Sequence, residues 1–124
     1  MTDLTGKAFW QEMAHLVASR PIVIDRPRGK AHPHYTDLIY PFDYGYVEGT
    51  LAADGDGIDV WIGSQAGRAI TGILCTYDTI ERDAEIKLLL GCTENDVQVI
   101  MNFIPDFMRY IYIPKPKEAT SDLP

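Results

Sequence analysis

Cysteine is scarce in this chain of 124 residues, which contains only Cys75 and Cys92. Two cysteines are too few for a disulfide scaffold. His32 and His34 have no cysteine or second histidine pair at the spacing of a zinc site. Long apolar runs are missing as well, since none approaches the roughly 20 residues that a membrane-spanning helix needs. These absences argue against a disulfide-rich secreted fold, a zinc module and a membrane protein.

Positive charge is also in short supply: the chain has 11 Lys and Arg residues against 18 Asp and Glu residues, which gives a net charge of −7. Nucleic acids and anionic membranes select positive surfaces, so we expect neither as a partner. Residues 1–7 lack the basic and then apolar segment of a signal peptide, which predicts a cytoplasmic location. The length and a hydrophobic fraction of 46% predict one domain over residues 1–124.

Short β-type segments fill the middle of the chain, and helical patterns lie towards its two ends. We predict strands at 22–25, 58–62, 69–77 and 85–90, and strand with turn at 43–48. One helix is predicted over 9–18 with Thr5 as its cap, and a second from the cap Thr93 to about residue 103. This order predicts a mainly β (α+β) fold, a small β-barrel with flanking N- and C-terminal helices.

Three carboxylates fall within six residues, at Asp54, Asp56 and Asp59, with Gly55 and Gly57 between them. Carboxylates this close repel one another unless cations neutralise them. Hard divalent cations such as Mg²⁺ bind clustered carboxylate oxygens. The segment therefore predicts a metal site on a strand–turn–strand, and the alternative is an exposed turn, which Asp-Gly pairs favour.

A second acidic set follows the predicted strand 69–77, at Asp78, Glu81, Asp83 and Glu85. If this hairpin folds back beside the first acidic segment, five or six carboxylates meet at one end of the barrel. Lys87 would then project from the same strand end and supply a positive charge. A solvated acidic hairpin is the alternative, as a solvated loop is for the basic residues between 26 and 34.

Three sequence segments resemble those of the family I soluble inorganic pyrophosphatases. Residues 54–60, DGDGIDV, resemble the signature Asp-x-Asp-Pro-x-Asp, and residues 40–46, YPFDYGY, resemble Tyr-Pro-x-Asn-Tyr-Gly-Tyr. Residues 23–27, VIDRP, resemble Val-x-Glu-x-Pro, and Asp78 and Asp83 resemble a pair of aspartates five residues apart. The resemblance covers residues 22–87 and implies an OB-like five-stranded barrel.

The resemblance also implies a role for individual residues. Asp56 would orient or deprotonate the attacking water, and Tyr44 and Lys87 would assist it. The implied metal ligands are Asp54, Asp59, Asp83, Asp78 and Asp25. The family's phosphate-binding lysine and arginine have no clean match here, and the candidates to replace them are Arg26, Arg28, Lys30 or the two histidines, His32 and His34. Tyr44 and Lys87 are the other candidates for substrate binding. Where the family has a lysine two residues after its second aspartate, this chain has Glu85.

The function implied by the resemblance is Mg²⁺-dependent hydrolysis of inorganic pyrophosphate to two phosphates by a water activated between two metal ions. Mn²⁺ is the alternative metal. The resemblance is compatible with a homo-oligomer, but the sequence itself does not give the oligomeric state. Two other functions remain open at this point. One is hydrolysis of another phosphoanhydride, such as a nucleotide or short polyphosphate, and the other is a non-catalytic module that binds metal or phosphoanions.

Overall fold

Six strands form one sheet in the computed structural model, which describes residues 2–117. The elements in chain order are α1 (Lys7–Ser19), β1 (Ile22–Arg26), β2 (Asp43–Val47), β3 (Ile58–Ile62), β4 (Ile70–Asp78), β5 (Asp83–Leu90), α2 (Glu94–Phe103) and β6 (Met108–Pro114). The strand order in the sheet is β1-β2-β3-β5-β4-β6. The neighbours β3 and β5 are parallel, and the other pairs are antiparallel.

The mainly β, α+β class is confirmed, but the sheet has six strands rather than the five expected. The additional strand is β6, which pairs with β4 from Met108 opposite Asp78 to Pro114 opposite Gly72. Because β6 is an edge strand, most of its side chains are exposed and no alternation of apolar and polar residues marks it. With β1 and β6 at its two edges, the sheet is open over residues 2–117 rather than closed into a barrel.

The single domain over 1–124 stays a prediction, because residues 1 and 118–124 lie outside the part of the chain that the structure describes. Within residues 2–117, no helix is both long and apolar enough to cross a membrane.

The two faces of the sheet bury two separate apolar clusters, because successive side chains of a strand point to opposite faces. Val60 belongs to the cluster that includes Trp10 of α1. Trp61, the next residue, belongs to the cluster that includes Val97 and Ile100 of α2. Each helix therefore covers one face, and the tyrosines of β2 lie on the side of α2.

Thr93 begins α2 as the sequence predicts, in a reciprocal capping box with Asp96. The Thr93 hydroxyl accepts a hydrogen bond from the Asp96 N–H, and the Asp96 carboxylate accepts one from the Thr93 N–H, both at 3.0 Å. Asp96 also accepts from the N–H and hydroxyl of Ser64, at 2.9 and 2.8 Å. Burial raises the pKa of this carboxyl, but the hydrogen bonds from Ser64 and Thr93 outweigh burial and lower it. Asp96 thus ties α2 to the end of β3.

The prediction of Thr5 as the cap of α1 is wrong. The N-cap position is Gly6, in the left-handed region, and it makes no side-chain cap. Instead Asp3 accepts hydrogen bonds from the N–H groups of Thr5 and Ala8, at 3.0 and 3.3 Å. A carboxylate outside the helix therefore satisfies a free N–H of the first turn, a contact that helical spacing does not reveal.

Candidate active site

A polar cavity of about 640 Å³ lies where β1, β2, β3 and β5 meet the loop between β2 and β3. We call it the acidic cavity; its lining residues are Asp25, Arg26, Tyr44, Tyr46, Asp54, Gly55, Asp56, Gly57, Asp59, Glu85 and Lys87. Five carboxylates thus face two cations in one cavity. This excess of negative charge favours the binding of further cations.

Strand register brings three of these side chains together. Tyr46 of β2 lies opposite Asp59 of β3, so both point to the same face of the sheet. In the parallel pair of β3 and β5, Val60 is level with Leu88, which places Asp59 level with Lys87. Lys87 thereby reaches a carboxylate that is 28 residues away in the sequence.

Lys87 is the centre of the hydrogen-bond network in the acidic cavity. Its ammonium donates to the Tyr44 hydroxyl at 2.8 Å, to Asp59 at 3.0 Å and to Glu85 at 3.2 Å. Burial opposes its charge, but the oxygens of Tyr44 and Asp59 outweigh burial and raise the pKa of Lys87. Burial also raises the pKa of the Tyr44 phenol. At neutral pH the cavity therefore holds a charged lysine and a neutral tyrosine.

A bulge in β1 lets two consecutive residues line the acidic cavity. The pairing of β1 with β2 shifts between Ile24 and Arg26, so Asp25 is the extra residue. The guanidinium of Arg26 donates to the Tyr40 hydroxyl at 2.7 Å and lies 6.0 Å from the centre of the Tyr44 ring. A regular strand would point one of Asp25 and Arg26 to the opposite face.

The loop between β2 and β3 turns tightly enough to present its aspartates to the cavity. The N–H of Ala52 donates to the carbonyl of Asp56 at 2.6 Å, and Gly55 has a φ of 89°, a conformation that favours glycine. A Cβ at Gly57 would lie 2.6 Å from the ring of Tyr46. Glycine at position 57 thus lets the loop pack closely on β2.

The carboxyl groups of Asp54 and Glu85 lie close enough to shift each other's pKa in opposite directions. The pKa of Asp54 is lowered by the N–H of Asp56, which donates at 3.0 Å, and by this contact with Glu85. Burial raises the pKa of Glu85, and its contact with Asp54 adds to that rise. Two carboxyl groups in contact favour either a shared proton or a bound cation.

Four of the residues predicted from the sequence do not line the acidic cavity: Asp78, Asp83, Arg28 and Lys30. Asp78 turns back on its own hairpin, where its carboxylate accepts from the N–H groups of Ile80 and Glu81 at 2.8 and 2.9 Å. Asp83 is exposed, and its backbone lies opposite that of Asp78 in the register of β4 and β5, at the end of the hairpin. The functional roles assigned to these four residues stay predictions.

Glu85 and Tyr46 line the cavity, although neither was assigned a role from the sequence. Alternation along β5 could have identified Glu85, because it lies two residues before Lys87 and therefore on the same face. Likewise Tyr46 lies two residues after Tyr44. The resemblance drew attention to Asp83 instead, at a position matched by motif rather than by strand face.

The acidic cavity offers the ligand atoms that Mg²⁺ prefers, namely carboxylate oxygens. Within residues 2–117, however, no three His, Cys, Asp or Glu side chains are grouped closely enough to hold a metal ion by themselves. Mg²⁺ usually binds through one or two carboxylates together with water and substrate phosphates. The residues present fit that mode of binding, with Asp54, Asp56 and Asp59 in the loop and on β3.

Comparison with known protein families identifies the family of this chain. The family described as "Inorganic pyrophosphatase" matches residues 21–90. The chain belongs to the inorganic pyrophosphatase family. This confirms the resemblance seen in the sequence, and the matched range includes every residue of the acidic cavity.

Curated inorganic pyrophosphatases show similarity over part of this family member. That of Sulfolobus acidocaldarius is 40% identical over 60 residues, which cover 42% of this chain and 35% of the relative. That of Geobacillus stearothermophilus is 33% identical over 60 residues, covering 42% and 36%. The chain thus matches little more than a third of the length of these two relatives.

Solved pyrophosphatase structures share the fold at low sequence identity. The inorganic pyrophosphatase of Thermus thermophilus has a TM-score of 0.55 and 20% identity, covering 76% of this chain and 81% of that one. The enzyme of Coxiella burnetii has a TM-score of 0.53 and 18% identity, covering 76% and 84%. These likenesses concern the fold alone.

Proposed function

We propose that this member of the pyrophosphatase family hydrolyses inorganic pyrophosphate to two phosphates in a Mg²⁺-dependent reaction. The observation that carries the proposal is the acidic cavity, in which Lys87 is held by Tyr44, Asp59 and Glu85 within the segment that matches the family. Because the matched segments cover only part of the curated relatives, the activity of the whole protein requires a direct test.

Charge explains why the reaction would depend on a metal ion. Pyrophosphate is a dense anion, and five carboxylates of the acidic cavity would repel it despite Arg26 and Lys87. Bound Mg²⁺ would offset this repulsion and polarise the phosphoanhydride. We propose that Asp54 and Asp59 hold it directly and that Glu85 supports its binding from beside them, and Mn²⁺ is the alternative ion. Roles for Asp25, Asp78 and Asp83 stay as predicted from the sequence.

The other residues of the cavity have roles that follow from their positions. Arg26 and Lys87 bind phosphate oxygens, since they are the two cations that line the cavity. Asp56 lies at the exposed tip of the loop, where it takes a proton from the attacking water. The neutral phenol of Tyr44 provides a hydrogen bond beside Lys87. Pyrophosphate is the proposed partner, and homo-oligomerisation stays a prediction.

The test is phosphate release from pyrophosphate with Mg²⁺, with Mn²⁺ and with a chelator. We expect Asp56→Asn to lower turnover by about a hundredfold or more, the usual contribution of a general base. Asp37→Asn, which changes an exposed aspartate outside the cavity, is the matched control and should keep full activity.

Metal binding measured by calorimetry on the same proteins separates the alternatives. A folded wild-type protein that binds Mg²⁺ but releases no phosphate would contradict the proposal and favour a binding module. Full activity of Asp56→Asn would contradict the role of Asp56 and leave the reaction itself standing.

A further inference from the structure

The two edge strands of the sheet differ in how they are protected from pairing with another chain. Strand β1 is short, has a bulge at Asp25 and lies between Pro21 and Pro27. Bulges, prolines and charged side chains are the features that keep an edge strand from pairing with another chain. Strand β6 has seven residues in regular register with β4, and Arg109 is its only charged residue. Over residues 2–117, the edge at β6 is therefore the unprotected one.

The hydrogen bonds around β6 show which of its backbone groups point away from the sheet. Just beyond β6, the N–H of Lys115 donates to the carbonyl of Thr71 in β4 at 2.9 Å. Just before β6, the carbonyl of Phe107 accepts at 3.2 Å from the N–H of the residue that follows β4. Alternate residues of an antiparallel pair bond to the same neighbour, so the odd-numbered residues of β6 bond to β4. The N–H and C=O groups of Tyr110 and Tyr112 therefore point outwards, where no strand of residues 2–117 lies.

Apolar side chains continue across the sheet to this edge, on the face that α1 covers. Cys75 of β4 lies opposite both Ile86 of β5 and Ile111 of β6, and Ile73 lies opposite Ile113. Ile73 belongs to the buried cluster on the side of α1. At the edge, however, Ile111 is 64% exposed and Ile113 is 40% exposed. A strand added beside β6 would cover this apolar surface.

We propose that two copies of this chain pair edge to edge through β6, with Ile111 opposite its own counterpart on a twofold axis. In this antiparallel register, Tyr110 of one copy lies opposite Tyr112 of the other. The outward N–H and C=O groups of both tyrosines then bond across the axis. Because a twofold contact uses the same surface on both copies, the assembly closes as a dimer with one continuous sheet.

The side chains across the axis favour a second copy as the occupant of this edge. Ile111 would meet its counterpart in a non-hydrogen-bonded pair, the position at which opposite side chains are closest. Arg109 would lie opposite Ile113 rather than opposite another arginine. Asp106, in the turn before β6, would come near Lys117, which follows the end of β6 in the other copy. Chains with a net charge of −7 repel each other, so a contact that opposes no like charges on β6 suits their association.

The test is the mass of the protein by sedimentation equilibrium over a range of concentrations, for the wild type, Ile111→Lys and Ile80→Lys. We expect the wild type to approach the mass of two chains as its concentration rises. Ile111→Lys sets two lysines opposite each other and removes an apolar contact, so it should raise the Kd of the dimer by about tenfold or more. Ile80→Lys is the matched control and should dimerise as the wild type does, because Ile80 is 65% exposed but lies in the hairpin between β4 and β5.

A second pair of variants tests the backbone hydrogen bonds. Tyr110→Pro removes an N–H that points away from β4, so the hydrogen bonds between β4 and β6 stay intact. Tyr110→Ala removes the same side chain but keeps the N–H. We expect the Kd of Tyr110→Pro to exceed that of Tyr110→Ala by about tenfold, because each copy loses a hydrogen bond across the axis. Circular dichroism checks that both variants are folded.

A wild type that sediments as a single chain at every concentration would overturn the inference. An assembly of any size that Ile111→Lys leaves unchanged would overturn it too, and this variant decides the matter if Tyr110→Pro does not fold. Equal Kd values for folded Tyr110→Pro and Tyr110→Ala would contradict pairing through the backbone of β6. None of these measurements involves phosphate release, so the inference and the proposed function stand or fall separately.

Discussion

Replacing Lys87 by Met tests the electrostatics of the acidic cavity directly. The side chain of Lys87 is 13% exposed, and the side chains of Asp59 and Glu85 are 25% and 24% exposed. Methionine preserves the apolar stem but removes the ammonium that donates to both carboxylates and to Tyr44. The carboxylates would then lose their common partner in a partly buried site.

The magnitude follows from the exposure of these groups. Breaking a fully buried ion pair costs about 3–5 kcal/mol, and losing a hydrogen bond to a charged group costs about 1.5–3 kcal/mol. Because the side chains of Asp59 and Glu85 are about a quarter exposed to water, we expect the lower range. The free energy of unfolding should fall by about 2 kcal/mol in chelator.

Mg²⁺ should reverse this loss, because a cation that binds the vacated carboxylates stabilises only the folded state. At a Mg²⁺ concentration of about 100 Kd, the stabilisation reaches about 2.7 kcal/mol. With one of the two cations of the cavity removed, Lys87→Met should also bind Mg²⁺ more tightly than the wild type. Turnover should fall nonetheless, since Lys87 is proposed to bind phosphate.

The assay is urea unfolding followed by tryptophan fluorescence, in chelator and in a series of Mg²⁺ concentrations. Lys30→Met, at an exposed lysine outside the acidic cavity, is the control and should leave both stability and its dependence on Mg²⁺ unchanged. The reasoning is refuted if Lys87→Met loses the same stability with and without Mg²⁺, because the lysine would then act by packing alone.

Three further predictions concern other parts of the fold. Asp96→Asn should cost about 2 kcal/mol of unfolding free energy at pH 7. Because hydrogen bonds hold the pKa of Asp96 below its ordinary value, the stability that Asp96 contributes is complete above about pH 4 and is lost as the pH falls through the folded-state pKa. Urea unfolding of the wild type and Asp96→Asn between pH 7 and 2 measures this loss. If the stability of the variant depends on pH as that of the wild type does, the prediction is wrong. Glu85→Gln should weaken Mg²⁺ binding several-fold in calorimetry, and Asp37→Asn, at an exposed aspartate outside the cavity, should not; equal binding by Glu85→Gln and the wild type would contradict a part for Glu85 in holding the metal. Gly57→Ala should displace the Tyr46 ring and cost about 1–3 kcal/mol, as overpacking does, and an unchanged melting temperature would contradict it.

Several elements could be predicted from sequence because neighbouring residues determine them. Strand β3, Ile58–Ile62, is a short run rich in β-branched residues, which favour a strand. The start of α2 depends on Thr93 and Asp96, three residues apart. The tight loop around Asp56 depends on its two glycines. In each case the hydrogen bonds and packing patterns lie within a few residues of one another.

Contacts between distant segments could not be predicted in the same way. The sequence indicated Lys87 as a cation near the carboxylates, but the parallel register of β3 and β5 places it against Asp59. Strand β6 was missed, although the aromatic and β-branched residues at 110–113 favour a strand; only the tertiary structure shows that it pairs with the edge of β4. Asp78 was expected in the site, yet it satisfies the backbone of its own hairpin.

The sequence by itself determined the family, the class of the fold and the aspartates at positions 54, 56 and 59, since these depend on motifs and local periodicity. Only the tertiary structure decided which side chains share a cavity. Sheet register and the bulge at Asp25 determine which face of the sheet each side chain points to, and these residues lie far apart in the chain. It selected Glu85 rather than Asp83 for the lining of the acidic cavity. It also placed His32 against Tyr40, beside the cations of that cavity.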